Sequence, residues 1–409
     1  MVAELVAGIY DERDRQNGRF LASRCHTRSE SAFSGGNSLP LTVTGGDYGL
    51  SVGHVPTVMT DRRISGAYSR RRFLQATGVA GAAGLAGCTG ALGGSGSSGL
   101  DELNVAYMPI YPDIQYFVMQ EEGYFDELPV DVTGKLFSDG PSIVQASATG
   151  DFDVMMFGVV PAMIVVDKGI PAQITAANIK NAMKILASDE FAAMWEAEGK
   201  AAFETWEAQK GRKFTFGTYP PGSVPDILLR YWIENTLGLD PENDVNIKGL
   251  GGASAVQQAL LSGQVDGTSI MEPIPTVVEA NDAPYQSIAW AGDFMPGQPA
   301  AVTLMHDRVR QENREVATEF VRQHQRATQF VADNPDTAAQ HASTVIGESS
   351  LPVETARAAL DSRASDFISN PHEIEGGAEI FAEYANRLGK TEAELTIDEL
   401  FDYGIYDSL

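Results

Sequence analysis

A short α/β unit occurs twice in this chain, and the repetition restricts the possible folds more than any other feature. Both copies contain a Ser, a Val-Gln pair, a Gly, an Asp and a Pro in the same order, with a slip of one residue inside the helix: Ser142, Val144, Gln145, Gly150, Asp153 and Pro161 in one, and Ser254, Val256, Gln257, Gly263, Asp266 and Pro273 in the other. Two copies of one unit predict two similar lobes.

The apolar spacing around these copies predicts strands that alternate with helices, which is typical of a mostly parallel, doubly wound sheet. Strands are predicted at 103–107, 130–136, 151–157, 214–218, 245–250 and 266–271, with helices at 114–122, 138–149, 227–237 and 252–261. An amphipathic helix or helix pair is predicted at 188–209, a strand that returns to the first lobe at 300–305, and helices from 314 to the end. We therefore expect one lobe at 101–212, a second at 213–297, and a return to the first at 298–409.

The segment before the repeats contains the features of an export signal. Arg71-Arg72-Phe73-Leu74 resembles the twin-arginine motif, and Leu85-Ala86-Gly87-Cys88 resembles a lipobox. The apolar run between them is too short and too rich in Gly and Ala to span a bilayer. We expect a signal at 59–88 and lipidation of Cys88, which places the rest outside the cytoplasm on the cell membrane. We also expect a flexible Gly/Ser linker at 89–100, and an over-extended or unstructured region at 1–58.

The charge of the remaining chain is strongly acidic. Of 29 basic and 55 acidic residues, the first 99 positions hold 10 and 7, which leaves 19 basic and 48 acidic groups, a net charge of −29. Such a surface repels phosphate backbones, so nucleic-acid binding is not expected. Concentrated salt screens such repulsion, and the composition favours a halophilic protein over an ordinary acidic one.

The residue types that carry most catalytic and metal chemistry are scarce. Both Cys residues, Cys25 and Cys88, precede the expected fold, so disulfides and thiolate metal sites are excluded there. The four His residues of the fold form no close pair: His306, His324, His341 and His372. No nucleophile elbow, phosphate-binding loop or zinc-protease motif is present. We therefore expect no metal, no cofactor and no enzymatic activity.

Candidate ligand contacts follow the strands, because open α/β sheets bind ligands beyond the carboxyl ends of their strands. Several of these loops combine small residues with a hydroxyl at a helix start, which suits a small anion but is also ordinary helix capping. Glu272 is the one acid expected in the cleft, as a polar contact or a helix cap. The candidates are Met108, Tyr111, Ser138, Gly140, Gly158, Tyr219, Ser223, Ser254 and Glu272.

Six short motifs and the expected exported, two-lobed layout carry a family resemblance. The motifs are Met108-Pro109, Glu122-Gly123-Tyr124-Phe125, Ser138-Asp139-Gly140-Pro141, Gly150-Asp151-Phe152-Asp153-Val154, Gly263-Gln264-Val265-Asp266 and Glu272-Pro273. Together with the layout they resemble the substrate-binding proteins of ABC importers, in particular the nitrate/sulfonate/taurine-type family, which includes binders of thiamine-pyrimidine precursors. The resemblance covers about 103–335.

This resemblance implies a type II periplasmic-binding-protein fold, with two lobes that close around a hinge cleft. It implies ligand contacts at Ser138, Gly140, Gly158, Tyr219, Ser223 and Glu272. The expected function is delivery of a small organic or inorganic anion, by a monomer, to ABC permease and ATPase subunits. A binder of a heteroaromatic nutrient, a sensor subunit and a pyrimidine-precursor synthase are the alternatives. The synthase is disfavoured because it is cytosolic and relies on a Cys-rich motif and pyridoxal phosphate.

Overall fold

The computed structural model describes residues 100–409. The expected extension at 1–58, the export signal with Cys88, and the linker up to residue 99 lie outside the described residues. No helix within 100–409 is long and apolar enough to cross a membrane.

The described chain alternates strands and helices through its first two thirds and is mainly helical afterwards. The strands are β1 (Glu102–Tyr107), β2 (Asp131–Leu136), β3 (Val154–Gly158), β4 (Ala172–Lys180), β5 (Met183–Ser188), β6 (Thr215–Thr218), β7 (Asn246–Gly249), β8 (Gly267–Met271), β9 (Tyr285–Trp290), β10 (Pro299–His306) and β11 (Asp366–Phe367). The helices are α1 (Ile114–Glu121), α2 (Gly140–Ser147), α3 (Val159–Asp167), α4 (Asp189–Glu198), α5 (Ala202–Lys210), α6 (Val224–Tyr231), α7 (Ala253–Leu261), α8 (Ile274–Ala280), α9 (Ala291–Phe294), α10 (Asp307–Arg310), α11 (Arg314–Asp333), α12 (Pro335–Ile346), α13 (Val353–Leu360), α14 (Glu375–Arg387) and α15 (Ile397–Leu400).

These strands form two sheets, one in each lobe. Lobe 1 holds a six-stranded sheet in the order β11-β4-β10-β3-β1-β2, and lobe 2 a five-stranded sheet in the order β7-β6-β8-β5-β9. In each sheet an inserted strand, β10 in lobe 1 and β5 in lobe 2, runs antiparallel to both of its neighbours. Lobe 1 has one further strand, β11, which pairs antiparallel with β4 at the edge of the sheet. The two sheets therefore share one arrangement, as the repeated unit predicts.

The chain passes between the lobes earlier than the sequence suggests. β4 belongs to the first sheet, but β5 pairs with β8 and β9 of the second. The crossing therefore lies at Asn181–Ala182, ahead of the expected boundary between 212 and 213, and β5, α4 and α5 belong to lobe 2. No strand was predicted here, because β4 and β5 are separated by only two residues and pair with segments at least 80 residues later. The chain returns to the sheet of lobe 1 at β10.

The repeated Asp holds the same position in both sheets. Asp153 Oδ2 accepts a hydrogen bond from Asn104 N at 2.7 Å, and Asp266 Oδ2 accepts one from Thr215 N at 2.9 Å. Each Asp backbone N–H also donates to the carbonyl of that same partner, at 2.9 and 2.8 Å. An Arg pairs with each carboxylate, Arg308 in lobe 1 and Arg212 in lobe 2. The two Asp residues thus attach the central strand to its neighbour in each lobe.

Asn181 ties together the two segments that cross between the lobes. Its backbone N–H donates to the carbonyl of Gln298 at 2.8 Å, and its side-chain Oδ1 accepts from the N–H groups of Gly297 at 2.9 Å and Gln298 at 3.2 Å. Its own carbonyl accepts from Trp290 Nε1 at 2.7 Å. The φ of Asn181 is +53°, a left-handed conformation that Asn tolerates better than most residues. The crossing is therefore a narrow, specifically hydrogen-bonded hinge.

The region predicted as a surface helix pair is α4 and α5, and it covers an aromatic core in lobe 2. Phe191 and Phe203 pack against Phe214 and Trp232, and all four side chains are buried. The apolar face of the helix pair thus completes the core of lobe 2 on the outer side of the sheet.

Candidate functional site

Two small cavities lie between the lobes, where the strand ends of both sheets meet. The larger measures about 90 Å³, and the smaller, more apolar one about 40 Å³. They share walls formed by Ile110 of lobe 1 and by Tyr219 and Met271 of lobe 2. The structure therefore has a nearly closed cleft with room for a compact molecule.

Eight of the nine candidate residues line these cavities. Tyr111, Ser254 and Glu272 line the larger one, and Met108, Gly140, Gly158 and Ser223 line the smaller one, while Tyr219 contributes to both. Strand ends from both lobes thus converge as the rule for α/β sheets predicts. Their contact with a ligand stays a prediction.

Ser138 is the candidate that the structure does not place on either cavity. Its side chain is exposed, and its hydroxyl donates to Asp139 Oδ2 at 2.9 Å. Asp139 caps α2 by accepting from the N–H of Ser142 at 2.8 Å. The polar groups of this loop therefore serve helix capping, and the loop contributes to the cavity through Asp139, Gly140 and Pro141.

Tyr219 carries a buried hydroxyl that has no hydrogen-bond partner among the described residues. The residue is only 6% exposed, and burial raises the pKa of the phenol, so it stays protonated at neutral pH. A buried hydroxyl without a partner costs about 1 to 3 kcal/mol. Because Tyr219 lines both cavities, its hydroxyl is a candidate donor to a bound molecule.

Glu272 contributes a fully buried carboxylate to the larger cavity. Its Oε1 accepts from Lys184 Nζ at 2.7 Å, and its Oε2 accepts from Thr276 Oγ1 at 2.8 Å and from the Thr276 N–H at 3.2 Å. Both predicted roles are therefore compatible with the geometry, since the carboxylate caps the start of α8 and also borders the cavity. The ammonium of Lys184 supplies the counter-charge that a buried carboxylate requires.

Helix α7 points its first residues at the larger cavity. Ala253 and Ser254 line the cavity, and no side chain caps this helix at Gly252. The amides of a helix start attract anions and other acceptors. In contrast, no Lys, Arg or His of the described residues lines either cavity. The candidate donors of the site are therefore Tyr219 and the helix amides, and the candidate acceptor is Glu272.

The sequence did not reveal the wall supplied by the C-terminal helices. Ile346, Ser350 and Leu351, around the loop between α12 and α13, border the larger cavity. The hydroxyl of Ser343 holds this loop by donating to the carbonyl of Leu351 at 2.7 Å. Only the breaks at Gly347 and Pro352 were visible in the sequence, and they do not indicate where the loop packs.

A buried polar network supports the first cleft loop, which is the segment 108–113 that follows β1. Asp113 accepts from Asn178 Nδ2 at 3.0 Å and from the N–H of Met108 at 3.4 Å. Asn178 Oδ1 in turn lies 2.9 Å from Thr303 Oγ1 and 3.1 Å from His324 Nε2. Burial raises the pKa of Asp113 to about 7, although both hydrogen bonds oppose the shift, and burial lowers the pKa of His324 to about 3. The network thus favours neutral forms of both groups.

Two similar α/β lobes, joined by two crossing segments and enclosing cavities between their strand ends, define the class of two-lobed binding proteins. Residues 96–346 match the NMT1-like family, so the chain belongs to this family. No curated protein sequence matches the chain.

Solved structures share the fold at low sequence identity. The ligand-binding component of an ABC-type import system from Staphylococcus aureus is 13% identical with a TM-score of 0.60, covering 75% of this chain and 98% of that one. The periplasmic aliphatic sulphonate binding protein of Escherichia coli is 15% identical with a TM-score of 0.60, covering 74% and 92%. The periplasmic nitrate-binding protein of Synechocystis PCC 6803 is 15% identical with a TM-score of 0.62, covering 76% and 88%. These likenesses confirm the predicted type II periplasmic-binding-protein fold.

Proposed function

We propose that this protein is the extracytoplasmic solute-binding component of an ABC importer. The observation that carries the proposal is the pair of cavities between the two lobes, both lined by Tyr219, whose buried hydroxyl has no partner among the described residues. Binding rather than catalysis is favoured because the buried acid of the cleft, Glu272, is already paired with Lys184 and bonded to Thr276. The structural neighbours that bind sulphonates and nitrate support this role.

A small organic anion is the ligand class that we propose first. The acidic or acceptor end of such a molecule suits the uncapped start of α7 and the Tyr219 hydroxyl. The carboxylate of Glu272 repels a second negative group but accepts a hydrogen bond from an amine. The geometry therefore favours an anion that also carries a donor, such as an aminosulfonate, over nitrate.

A heteroaromatic nutrient, such as a thiamine-pyrimidine precursor, is the second candidate. It is favoured by the apolar, Pro-rich lining of the smaller cavity and by the absence of a basic side chain from the described lining of both cavities. A flat ring stacks on Tyr219, and an exocyclic amine donates to Glu272.

Delivery to a permease requires a location outside the cytoplasm. We propose that Cys88 carries a lipid that holds the protein on the membrane, and that the monomer docks on permease subunits that an ATPase drives. The sequence motifs around Arg71-Arg72 and Cys88 support this arrangement. A sensor subunit of the same fold is distinguished by the absence of adjacent permease and ATPase genes.

A thermal-shift screen in concentrated potassium chloride tests the proposal. The panel contains nitrate, bicarbonate, methanesulfonate, taurine, an aminomethyl-pyrimidine and riboflavin. A true ligand at a hundredfold excess over its Kd raises the stability by about 2.7 kcal/mol. If none of these or related solutes shifts the melting temperature, the binding role is contradicted.

Glu272→Gln separates the ligand classes once a hit is found. For an aminosulfonate or an aminopyrimidine we expect at least about tenfold weaker binding, because a charged acceptor is lost. For nitrate or methanesulfonate we expect equal or tighter binding, because a nearby negative charge is removed. Glu279→Gln, an exposed position within α8 that lines neither cavity, is the matched control.

A further inference from the structure

Lys184 is absent from the walls of both cavities, although its partner Glu272 borders the larger one. It lies instead on an outer groove, where β5 and α8 of lobe 2 meet the segment that follows α13. Its Nζ lies 2.7 Å from Glu272 Oε1 and also 2.7 Å from Ser362 Oγ. One ammonium group therefore contacts the cavity carboxylate and a residue outside lobe 2.

The segment that carries Ser362 is attached to lobe 1. Helix α13 packs against α12, which packs against α1 and α11 of lobe 1. The Tyr111 hydroxyl, at the end of the first cleft loop, donates to the carbonyl of Ala356 in α13 at 2.5 Å. Helix α13 also contacts α8 of lobe 2, so it lies at the junction of the lobes. An opening in which α13 stays with lobe 1 carries Ser362 away from Lys184.

A second contact beside Ser362 joins the same segment to lobe 2. The guanidinium of Arg363 lies 4.3 Å from the centre of the Trp290 ring and 3.5 Å from the carboxylate of Asp293. Trp290 in turn donates to the carbonyl of Asn181 in the hinge. Ser362 and Arg363 are thus in contact with two parts of lobe 2, the Lys184–Glu272 pair and the hinge side.

We infer that Lys184 is a positioning residue that couples the ligand-facing carboxylate of lobe 2 to closure of the lobes. In the closed form its ammonium fixes Glu272 and bonds Ser362 of lobe 1. In the open form the bond to Ser362 is replaced by water, and Lys184 retains only its intralobe partner. The Lys184–Glu272 pair and the open-to-closed ratio therefore depend on each other. This inference rests on the proposed function only in treating Glu272 as ligand-facing.

The distance between the lobes tests the closure step without any ligand. Spin labels are attached at Gln145→Cys in α2 and Gln258→Cys in α7, two exposed positions on either side of the cleft, in a full chain carrying Cys25→Ser and Cys88→Ser. Ser362→Ala is expected to lower the closed-to-open ratio about tenfold, since it removes a hydrogen bond to a charged donor. The control Ser408→Ala, whose hydroxyl donates within the C-terminal turn to Ile405, should leave the distances unchanged. An unchanged distribution in Ser362→Ala would overturn the closure step.

A double-mutant cycle tests the coupling. Ser362→Ala is measured again in the Glu272→Gln background, where Lys184 no longer faces a carboxylate. We expect its effect on the closed-to-open ratio to differ by at least about threefold between the two backgrounds. Equal effects would show two independent hydrogen bonds and overturn the coupling. Lys184→Met leaves Glu272 buried without a counter-charge and can fail to fold, so the cycle avoids it. Because no ligand is used, these outcomes are independent of the ligand screen.

Discussion

At the scale of single residues, the hydroxyl of Tyr219 should contribute to ligand binding but not to the stability of the fold. It is buried and unpartnered among the described residues, so Tyr219→Phe should leave the melting temperature unchanged or raise it. The same substitution should weaken binding of the ligand found by the screen about 5- to 100-fold, because the bound molecule loses a donor. Thermal unfolding and calorimetry measure the two effects.

Tyr285→Phe is the control for Tyr219. Its hydroxyl donates to the carbonyl of Val265 at 2.6 Å, outside both cavities, so its loss should lower stability but not affinity. If Tyr219→Phe binds as tightly as the native protein, Tyr219 is not a donor to the ligand.

Asp113 and His324 should oppose one another in the pH dependence of stability. The pKa of Asp113 is raised from 3.8 to about 7, so its contribution is full below pH 4 and is lost as the pH rises to 7. The pKa of His324 is lowered from 6.5 to about 3, so its contribution is full above pH 6.5 and is lost as the pH falls to 3. Between about pH 4 and 6.5 these two opposite changes in the free energy of unfolding should cancel.

Single variants should separate the pH dependence of stability that each of the two groups causes. As the pH rises from 4 to 6.5, the free energy of unfolding of Asp113→Asn should increase by about 3 kcal/mol relative to that of the native protein. Over the same range, that of His324→Gln should decrease by about 3 kcal/mol relative to the native protein. Urea unfolding at several pH values in concentrated salt measures both, and the remaining titrating groups cancel in the comparison. Parallel curves for all three proteins would mean that neither group titrates abnormally.

Most residues that were selected from the sequence as candidates line the cavities, but their hydrogen bonds could not be predicted. Strand ends identified Tyr219 and Glu272 because a strand's carboxyl end has a fixed place in an α/β sheet. The partner of Glu272 could not be foreseen, because Lys184 lies 88 residues earlier on a strand that the sequence did not reveal. The exposed position of Ser138 was equally hidden, since a capping hydroxyl and a ligand-binding hydroxyl give the same sequence signal.

At the scale of elements, the repeated Asp should contribute more to the stability of lobe 1 than to that of lobe 2. The side chain of Asp153 is 1% exposed and its partner Arg308 30%, whereas the values for Asp266 and Arg212 are 12% and 52%. Better-solvated pairs contribute less. We therefore expect Asp153→Ala to cost about 2 to 4 kcal/mol of stability and Asp266→Ala about half as much.

Denaturant unfolding measures this difference. The control is Asp151→Ala, an exposed change two residues away that should cost less than about 0.5 kcal/mol. A larger loss for Asp266→Ala than for Asp153→Ala would contradict the argument.

The elements themselves were largely predictable where local and repeated signals agree. The units around β1 to β3 and β6 to β8 follow their predicted order, and the helix predicted at 227–237 appears as α6 followed by a π-helical turn at Trp232–Thr236. β4, β5 and β9 were missed because much of their pairing is antiparallel to distant strands. Local apolar spacing contains no information about such partners.

At the scale of the whole molecule, stability should depend on salt. A net charge of −29 on about 310 residues produces self-repulsion that concentrated salt screens. We expect the melting temperature to rise steadily from roughly 0.1 M to about 3 M potassium chloride. The same titration with sucrose controls for nonionic stabilisation. A flat response to salt would contradict the halophilic interpretation.

The attachment of the molecule to a membrane should depend on Cys88. We expect mass spectrometry of the membrane fraction to find a lipidated N-terminus at Cys88 and no peptide upstream of it. Cys88→Ser should release the protein from the membrane, whereas Cys25→Ser should not. A membrane-bound product that still contains Arg71-Arg72 would contradict processing at this site.

The position of β10 has a consequence for the order in which the lobes are completed during synthesis. Strand β10 lies between β3 and β4 and joins them, but it is translated after the whole of lobe 2. The sheet of lobe 2, from β5 to β9, is one continuous stretch of chain and requires no later segment. Lobe 1 must remain in two unconnected parts until residue 306 has left the ribosome. The lobe that begins first is therefore completed last, and the finished lobe 2 places the start of β10 beside the end of β4, where the N–H of Asn181 donates to the carbonyl of Gln298.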